Sequence, residues 1–291
     1  MKILAIGDFQ GVFPEKLKQK LKKEEFDLIL GLGDYGGIKE WYPYIRDLFK
    51  RLKKGDERIS PDEFFGEKQV EIFEKKDFNA TKKVLSDLNN LKKPIISVFG
   101  NTDPEWYTYI GDPHSQRVDK KAKEHIKKLK NFKDITYGKK KLFGINFIGF
   151  GGYMDIEAYF KKSTFNAEKE EVEARIEGHN KVKKKFFNFL KKNKDQKGEK
   201  IFLFHYPPFG VFDIIKDKEN PMDGKSAGVK FYSEAIKKYK PKLVLCGHMD
   251  EYQGIKKLYG VPVINPGNAE KGKCAIINLD EKGKINVKFI K

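Results

Sequence analysis

The chain has 291 residues, 39% of them apolar and 13% aromatic, enough to fill a sizeable core and too many for long disorder. Its 60 Lys and Arg against 42 Asp and Glu give a net charge of +18. No run approaches the roughly 20 apolar residues that cross a bilayer, and Cys246 and Cys274 form neither a Cys-x-x-Cys ligand pair nor a disulfide framework, so a soluble cytoplasmic protein is expected.

In chain order, short β-like runs alternate with helical stretches, the signature of an α/β protein. Strands are expected at Lys2–Gly7, Asp27–Leu32, Pro94–Gly100, Gly144–Gly149, Lys200–His205, Lys242–Gly247, Val261–Asn265, Cys274–Leu279 and Ile285–Ile290. Amphipathic helices carry Leu17 and Leu21, then Val84, Leu85, Leu88 and Leu91, then Ala235, Ile236 and Tyr239, the last ended by Pro241. Residues 38 to 93 and 104 to 141 are charged, aromatic and helical in pattern, and are expected as insertions that cap a site. No repeat or Pro/Ser-rich linker divides the chain, so one domain over 1 to 291 is preferred. The turn Asp280–Lys284 joins the last two strands as an antiparallel hairpin.

Five strands end in metal-ligand chemistry: Gly7-Asp8-Phe9-Gln10-Gly11, Gly33-Asp34-Tyr35, Gly100-Asn101-Thr102-Asp103, His205-Tyr206-Pro207-Pro208 and Gly247-His248-Met249-Asp250. Functional groups in open α/β sheets collect beyond the carboxyl ends of strands. Taken singly, Asp8 can be a helix cap, Gly100-Asn101 a turn and His205 a buried hydrogen-bonded imidazole. Their joint order and spacing favour a shared site.

This order resembles that of the calcineurin-like metallophosphoesterases, whose signature is Asp-x-His, Gly-Asp, Gly-Asn-His-Asp/Glu, a lone His and Gly-His-x-His. The likeness runs from Lys2 to about Gly267, with Asn265-Pro266-Gly267 matching a segment common in small, especially archaeal-type, members. The resemblance implies two packed mixed β-sheets flanked by helices, a four-layer αββα sandwich. It also implies two divalent metal ions. Asp34 would bridge them; Asn101, His205 and His248 would complete one site, and Asp8, Gln10, Asp34 and Asp250 would form the other. Gln10 and Asp250 stand where the family has histidine. Both changes replace an imidazole by oxygen, which suits hard ions, so Mn²⁺ is expected first, with Mg²⁺, Fe²⁺, Ni²⁺ or Zn²⁺ as alternatives.

The reaction implied is hydrolysis of a phosphate ester by metal-activated water, with Asp34 and Asn101 at the centre of the machinery. Many relatives carry, at the position of Thr102, a histidine that helps protonate the leaving group, and threonine is no acid near pH 7. Asp103 is grouped with the catalytic residues, as a group that holds His205 or its loop; His114, in the insertion, is the candidate substitute acid, against the plainer reading of an exposed loop histidine. Without that acid, phosphodiesters, nucleotide pyrophosphates or activated aryl esters are expected rather than alkyl monoesters, with nucleotide or nucleic acid as the substrate class. The competing reading is a binding scaffold that keeps the fold but has weakened or lost catalysis.

Other features read either way. Gly149-Phe150-Gly151-Gly152 could cradle a phosphate but fits a tight turn better, and Asp223-Gly224-Lys225-Ser226 could bring Lys225 to an anion or simply enter a helix. Trp41, Tyr42 and Tyr44, and Trp106, Tyr107 and Tyr109, could stack a base or fill a core. Residues Arg117–Lys141 hold 11 bases and three acids, whereas the first hundred residues carry only +3 of the excess. The basic run could flank the mouth of a phosphate site; elsewhere a lysine-rich solvated surface suffices.

Overall fold

The computed structural model describes residues 1–103, 120–152, 169–194, 197–280 and 283–291. The first sheet contains β1 (Lys2–Ile6), β2 (Leu28–Gly31), β3 (Ile95–Ser97), β4 (Phe132–Asp134), β11 (Cys274–Leu279) and β12 (Ile285–Ile290) in the order β12-β11-β1-β2-β3-β4. The second contains β5 (Tyr137–Leu142), β6 (Ile145–Phe150), β7 (Lys200–Phe204), β8 (Leu243–Leu245), β9 (Gly254–Leu258) and β10 (Val261–Asn265) in the order β5-β6-β7-β8-β10-β9. Each sheet has four parallel strands, β1 to β4 in one and β6, β7, β8 and β10 in the other. Antiparallel strands complete the edges, including the expected hairpin β11–β12.

Strand alternation builds the layers. Ile3, Ala5, Leu28, Leu30, Leu32, Ile96 and Val98 meet Phe147, Ile201, Leu203, Leu243, Leu245 and Ile264 between the sheets. The alternate residues Leu4, Ile6 and Ile29 face helices α1 (Glu15–Leu21) and α4 (Glu67–Asn89) through Leu17, Leu21, Val84, Leu85 and Leu88. On the opposite side, Phe202, Phe204, Val244 and Cys246 meet α6 (Lys169–Lys192) and α7 (Lys230–Tyr239) through Phe186, Leu190, Phe231, Tyr232, Ala235 and Ile236. Two inner faces and two outer faces, all apolar, produce helix–sheet–sheet–helix. Each such fully buried aromatic or aliphatic side chain contributes about 1.5–3 kcal/mol.

The first insertion is helical as expected: α2 (Tyr42–Lys54) follows a 3-10 turn at Lys39–Trp41, then come α3 (Pro61–Phe65) and α4. The second expectation needs correction. After α5 (Lys120–Lys128), residues 132–134 and 137–142 are strands, not helix. Strand β9 was not anticipated either. All three are edge strands or short ones: β5 and β9 carry Lys139–Lys141 and Lys256–Lys257 on exposed positions, charges that blunt an open edge but hide the alternation that reveals a strand. Part of the basic run stands away from the candidate site. Lys140 and Lys141 pair with Phe147 and Asn146, at the end of β6 remote from the strand ends that carry the candidate ligands. Among the described residues no helix is long and apolar enough to cross a membrane.

Candidate metal centre

Strands β1, β2, β3, β7 and β8 all finish at one end of the sandwich, and the two sheets meet there through their loops. Asp8, Phe9 and Gln10 donate backbone N–H bonds to the carbonyls of Gly33 and Asp34, at 2.9, 2.7 and 3.2 Å. From the second sheet, Gly247 N–H donates to the His205 carbonyl at 2.9 Å, and His248 N–H to Asp8 Oδ1 at 2.9 Å. Asp8, Gln10, Asp34 and His248 all take left-handed backbone, with φ of 57, 48, 53 and 68°. Non-glycine residues rarely adopt it, and it persists where surrounding structure over-determines the loop.

The side chains converge. The ligand atoms of Asp34, His205 and His248 lie within 4.8 Å of one another. His205 Nδ1–H donates to the Leu32 carbonyl at 2.7 Å, which fixes the tautomer and turns the Nε2 lone pair toward Asn101 Oδ1 at 2.8 Å and Asp34 Oδ1 at 3.4 Å. A cation between these acceptors, or a turn of the Asn101 amide, reconciles them. The loops leave no room for larger residues: a Cβ at Gly100 would lie 2.1 Å from Asp34 Oδ1 and 2.6 Å from His205 Cε1, and one at Gly247 would lie 2.8 Å from Asp8 Oδ2. Gln10 Oε1 and Thr102 Oγ1 both crowd Gly37, at 2.6 and 2.8 Å from the Cβ position, so Gln10 belongs to the same cluster of loops.

Electrostatics favour a cation. Burial first, then the charges of Asp250 and Asp34, raises the carboxyl of Asp8; burial likewise raises Asp34, Asp103 and Asp250. Burial lowers His205 to about 4 and His248 well below its ordinary value, so neither imidazole supplies positive charge near neutrality. Asp250 Oδ1 is buried with no hydrogen-bond partner. Crowded carboxylates, neutral imidazoles and an orphaned oxygen fit a divalent cation, and among the described residues Asp34, His205 and His248 are the group whose ligand atoms converge for one.

Asp103, grouped with the catalytic residues on sequence as a group that holds His205 or the loop in place, is bonded to the backbone of two loops. Its Oδ2 accepts N–H bonds from Asp34 at 2.9 Å and Gly100 at 2.7 Å, and its Oδ1 from Tyr35 at 2.7 Å and Gly36 at 3.1 Å. It clasps two ligand loops together, while His205 is held by Leu32 instead. Thr102 donates its N–H to Asp34 Oδ1 at 3.0 Å and its hydroxyl to the Gly36 carbonyl at 3.2 Å. His114, Trp106, Tyr107 and Tyr109 lie outside the described residues.

The ambiguous motifs resolve largely as structure. Gly149 and Gly151 sit where a Cβ would strike the carbonyls of Ile135 and Phe99, at 2.2 and 2.3 Å, so they permit close backbone packing. Ser226 donates to Asp213. Trp41 and Tyr44 pack edge-on or tilted against Phe64, Phe65 and Phe73 in a small core of the insertion. Two residues escaped sequence reasoning: Asp77, a buried acid within a charged helix, and Glu270, whose N–H donates to the Asp8 carbonyl at 3.2 Å and whose carboxyl is raised by burial and by Asp250. A polar residue on the apolar stripe of α4 was the available signal for Asp77; none marked Glu270.

Comparison with known proteins agrees with this fold. The sequence profile described as "Metallophosphoesterase, calcineurin superfamily" matches residues 1–289. No curated protein matches in sequence. The chain is similar in structure to the protein TT1561 of Thermus thermophilus, with TM-score 0.51 at 17% identity over 99% of this chain and 97% of that one. It is similar to a dimetal phosphatase from Danio rerio, with TM-score 0.53 at 11% identity over 100% and 96%. It is also similar to the phosphopantetheinyl hydrolase of Mycobacterium tuberculosis, with TM-score 0.50 at 12% identity over 93% and 90%. At these identities the likeness shows the fold.

Proposed function

The chain belongs to the calcineurin superfamily of metallophosphoesterases, and on that premise we propose that it hydrolyses a phosphodiester or pyrophosphate bond in a nucleotide or nucleic-acid-like substrate. Family membership supports a phosphoester hydrolase in general. The finer reading rests on one observation: the side chain at position 102 cannot serve as an acid, because it is a threonine whose hydroxyl is given to the Gly36 carbonyl. Such a site favours bonds whose leaving group departs with little proton assistance.

Asp34, at the junction of the two donor sets, would hold both cations; Asn101, His205 and His248 would complete one site and Asp8, Gln10 and Asp250 the other. Divalent cations, when bound, supply water activation and neutralise charge on phosphoryl oxygens. The protein's own contribution is positioning: Leu32 orients His205, Asp103 fixes the loops of Asp34 and Asn101, and His248 N–H holds Asp8. Oxygen donors at Gln10 and Asp250 argue for Mn²⁺ or Mg²⁺ in that half. The two buried free thiols, raised by burial, suit a reducing cytoplasm, and the chain is read as one domain whose first insertion is helical.

The test is hydrolysis of bis(p-nitrophenyl) phosphate with Mn²⁺, expected in the wild type and abolished by Asp34→Asn. No turnover with Mn²⁺, Mg²⁺, Zn²⁺, Ni²⁺ or Fe²⁺ would favour the scaffold. Zinc bound equally tightly in both halves would overturn the hard-ion assignment.

A further inference from the structure

Thr102 leaves open which group faces the leaving group, and two independent restraints hold the start of α2 against the loops of the candidate site. The turn at 37–41 lies directly on the ligand loops. Gly37 is packed against Gln10 and Thr102, and a Cβ on Gly11 would lie 2.8 Å from Ile38 Cγ2. Both ends of this turn are clamped by one buried carboxylate: Asp77 accepts Gly37 N–H at 2.8 Å and Trp41 Nε1–H at 3.1 Å. Trp41 is locked in turn by the edges of Phe65 and Phe73. The next residue, Tyr42, opens α2 and keeps 37% of its surface exposed, although its neighbour Trp41 is drawn into the insertion.

The second restraint comes from the other sheet. Arg46, one turn into α2, pairs with Glu219 at 3.6 Å, and Lys53 donates to the Lys218 carbonyl. That loop descends from His205 and is tied by Lys216 N–H to Glu251 Oε1 at 3.0 Å, the residue after Asp250. A helix from the first sheet's insertion and a loop from the second thus meet beside the site, with Tyr42 at the helix start. Burial first, then the charges of Glu270, Asp250 and Asp34, raises the Tyr42 phenol, so it stays protonated across the working pH range.

We propose that Tyr42 meets the substrate's leaving group and donates its phenol hydrogen bond to the departing oxygen, the task that Thr102 cannot perform. This rests on the hydrolase reading above. The bond from phosphorus to the leaving oxygen breaks as a water oxygen bonds to phosphorus and that water releases a proton to solvent. The leaving oxygen departs with the hydrogen bond of Tyr42 and takes its proton from solvent, so Tyr42 ends as the phenol it began. Its role is a fixed donor, with no titration of its own.

The experiment compares wild type and Tyr42→Phe on phosphodiesters carrying 2,4-dinitrophenyl, p-nitrophenyl and phenyl leaving groups with Mn²⁺. A hydrogen bond to developing charge predicts a kcat loss of about ten- to a hundredfold for the phenyl ester, shrinking to less than about threefold for the dinitrophenyl ester, with KM barely changed. A uniform loss across the series, or none, overturns the proposal. Binding of p-nitrophenolate to the Mn²⁺-loaded protein gives a readout without turnover: Tyr42→Phe should weaken it about tenfold, and equal affinity, or none in either protein, overturns the role. If the wild type turns over no diester, the hydrolase reading fails on its own, and Tyr42 stands or falls on p-nitrophenolate binding. Asp77→Asn should reproduce part of the same graded loss by freeing the turn, whereas Arg46→Ala, which leaves Asp77 in place, should reproduce less.

Discussion

Replacing Asp103 by asparagine tests whether the two ligand loops are set by one carboxylate. Four backbone N–H groups point at its two oxygens, and all of them are buried. Asparagine keeps one carbonyl oxygen and offers an amide –NH₂ to the other two donors, so in either rotamer two N–H groups lose their acceptor. Each buried donor left unsatisfied costs about 1–3 kcal/mol, so the direct penalty is about 2–6 kcal/mol. Against it stands relief of the repulsion by Asp34, which after burial is the largest cause raising the Asp103 carboxyl. Bound cations neutralise Asp34 and shrink that relief. The expected loss is therefore about 3 kcal/mol with saturating Mn²⁺ and distinctly less in EDTA. Urea unfolding in the two conditions measures both, and metal titration should show affinity lower by about 10–100-fold. A loss below about 0.5 kcal/mol in both conditions would refute the clasp, because surface substitutions alone produce that much.

Gly100→Ala should abolish binding at the Asp34–His205 pair, since its methyl would sit 2.1 Å from Asp34 Oδ1; isothermal titration with Mn²⁺ checks it, and near-normal affinity would mean the loop shifts freely. Metal-free protein should also lose stability as pH rises from about 6.5 to 7.5. Burial raises Asp34 and Asp103 to about 7, so each keeps in the folded state a proton that the unfolded chain has already released, and the stability this proton carries is lost as pH climbs through the folded value. The histidines are lowered from 6.5 by burial and oppose that decline only below 6.5, where the unfolded chain still protonates them. Saturating Mn²⁺ should flatten the decline; a urea midpoint that rises over this window in EDTA would contradict the assignment.

Much of this was legible in the sequence because period-2 alternation and ligand placement coincide. Ile3 and Ala5 face one layer and Leu4 and Ile6 the other, and the same strand delivers Asp8 two residues later. Strands β4, β5 and β9 were not legible: exposure and lysine erase the alternation on edges, which need only one buried neighbour. The roles of site residues were harder still. Asp103 and Thr102 are adjacent in a motif, yet their partners Tyr35, Gly36 and Gly100 come from two loops, and only the folded chain shows that one is a clasp and the other a tie. Trp41 and Tyr42 are neighbours with opposite fates, separated by the buried acid Asp77 some 36 positions on. The left-handed φ of Asp8, Gln10, Asp34 and His248 is poorly marked by residue type, since none is glycine, although aspartate and histidine are among the residues that tolerate it.

The division of the proposed ligands between the sheets bears on how the molecule comes apart. Asp8, Asp34 and Asn101 hang from the first sheet, and His205, His248 and Asp250 from the second. Cations held there would rivet the sandwich shut at one end. With cations bound, sliding or parting of the sheets would have to break several strong bonds at once before any of the apolar layer between them is exposed, so bound metal should act on the rate of unfolding more than on its equilibrium endpoint alone. The loaded protein would then survive proteases and heat for longer than its free energy of folding implies, and a cell starved of these ions would shorten its lifetime before it silenced its chemistry.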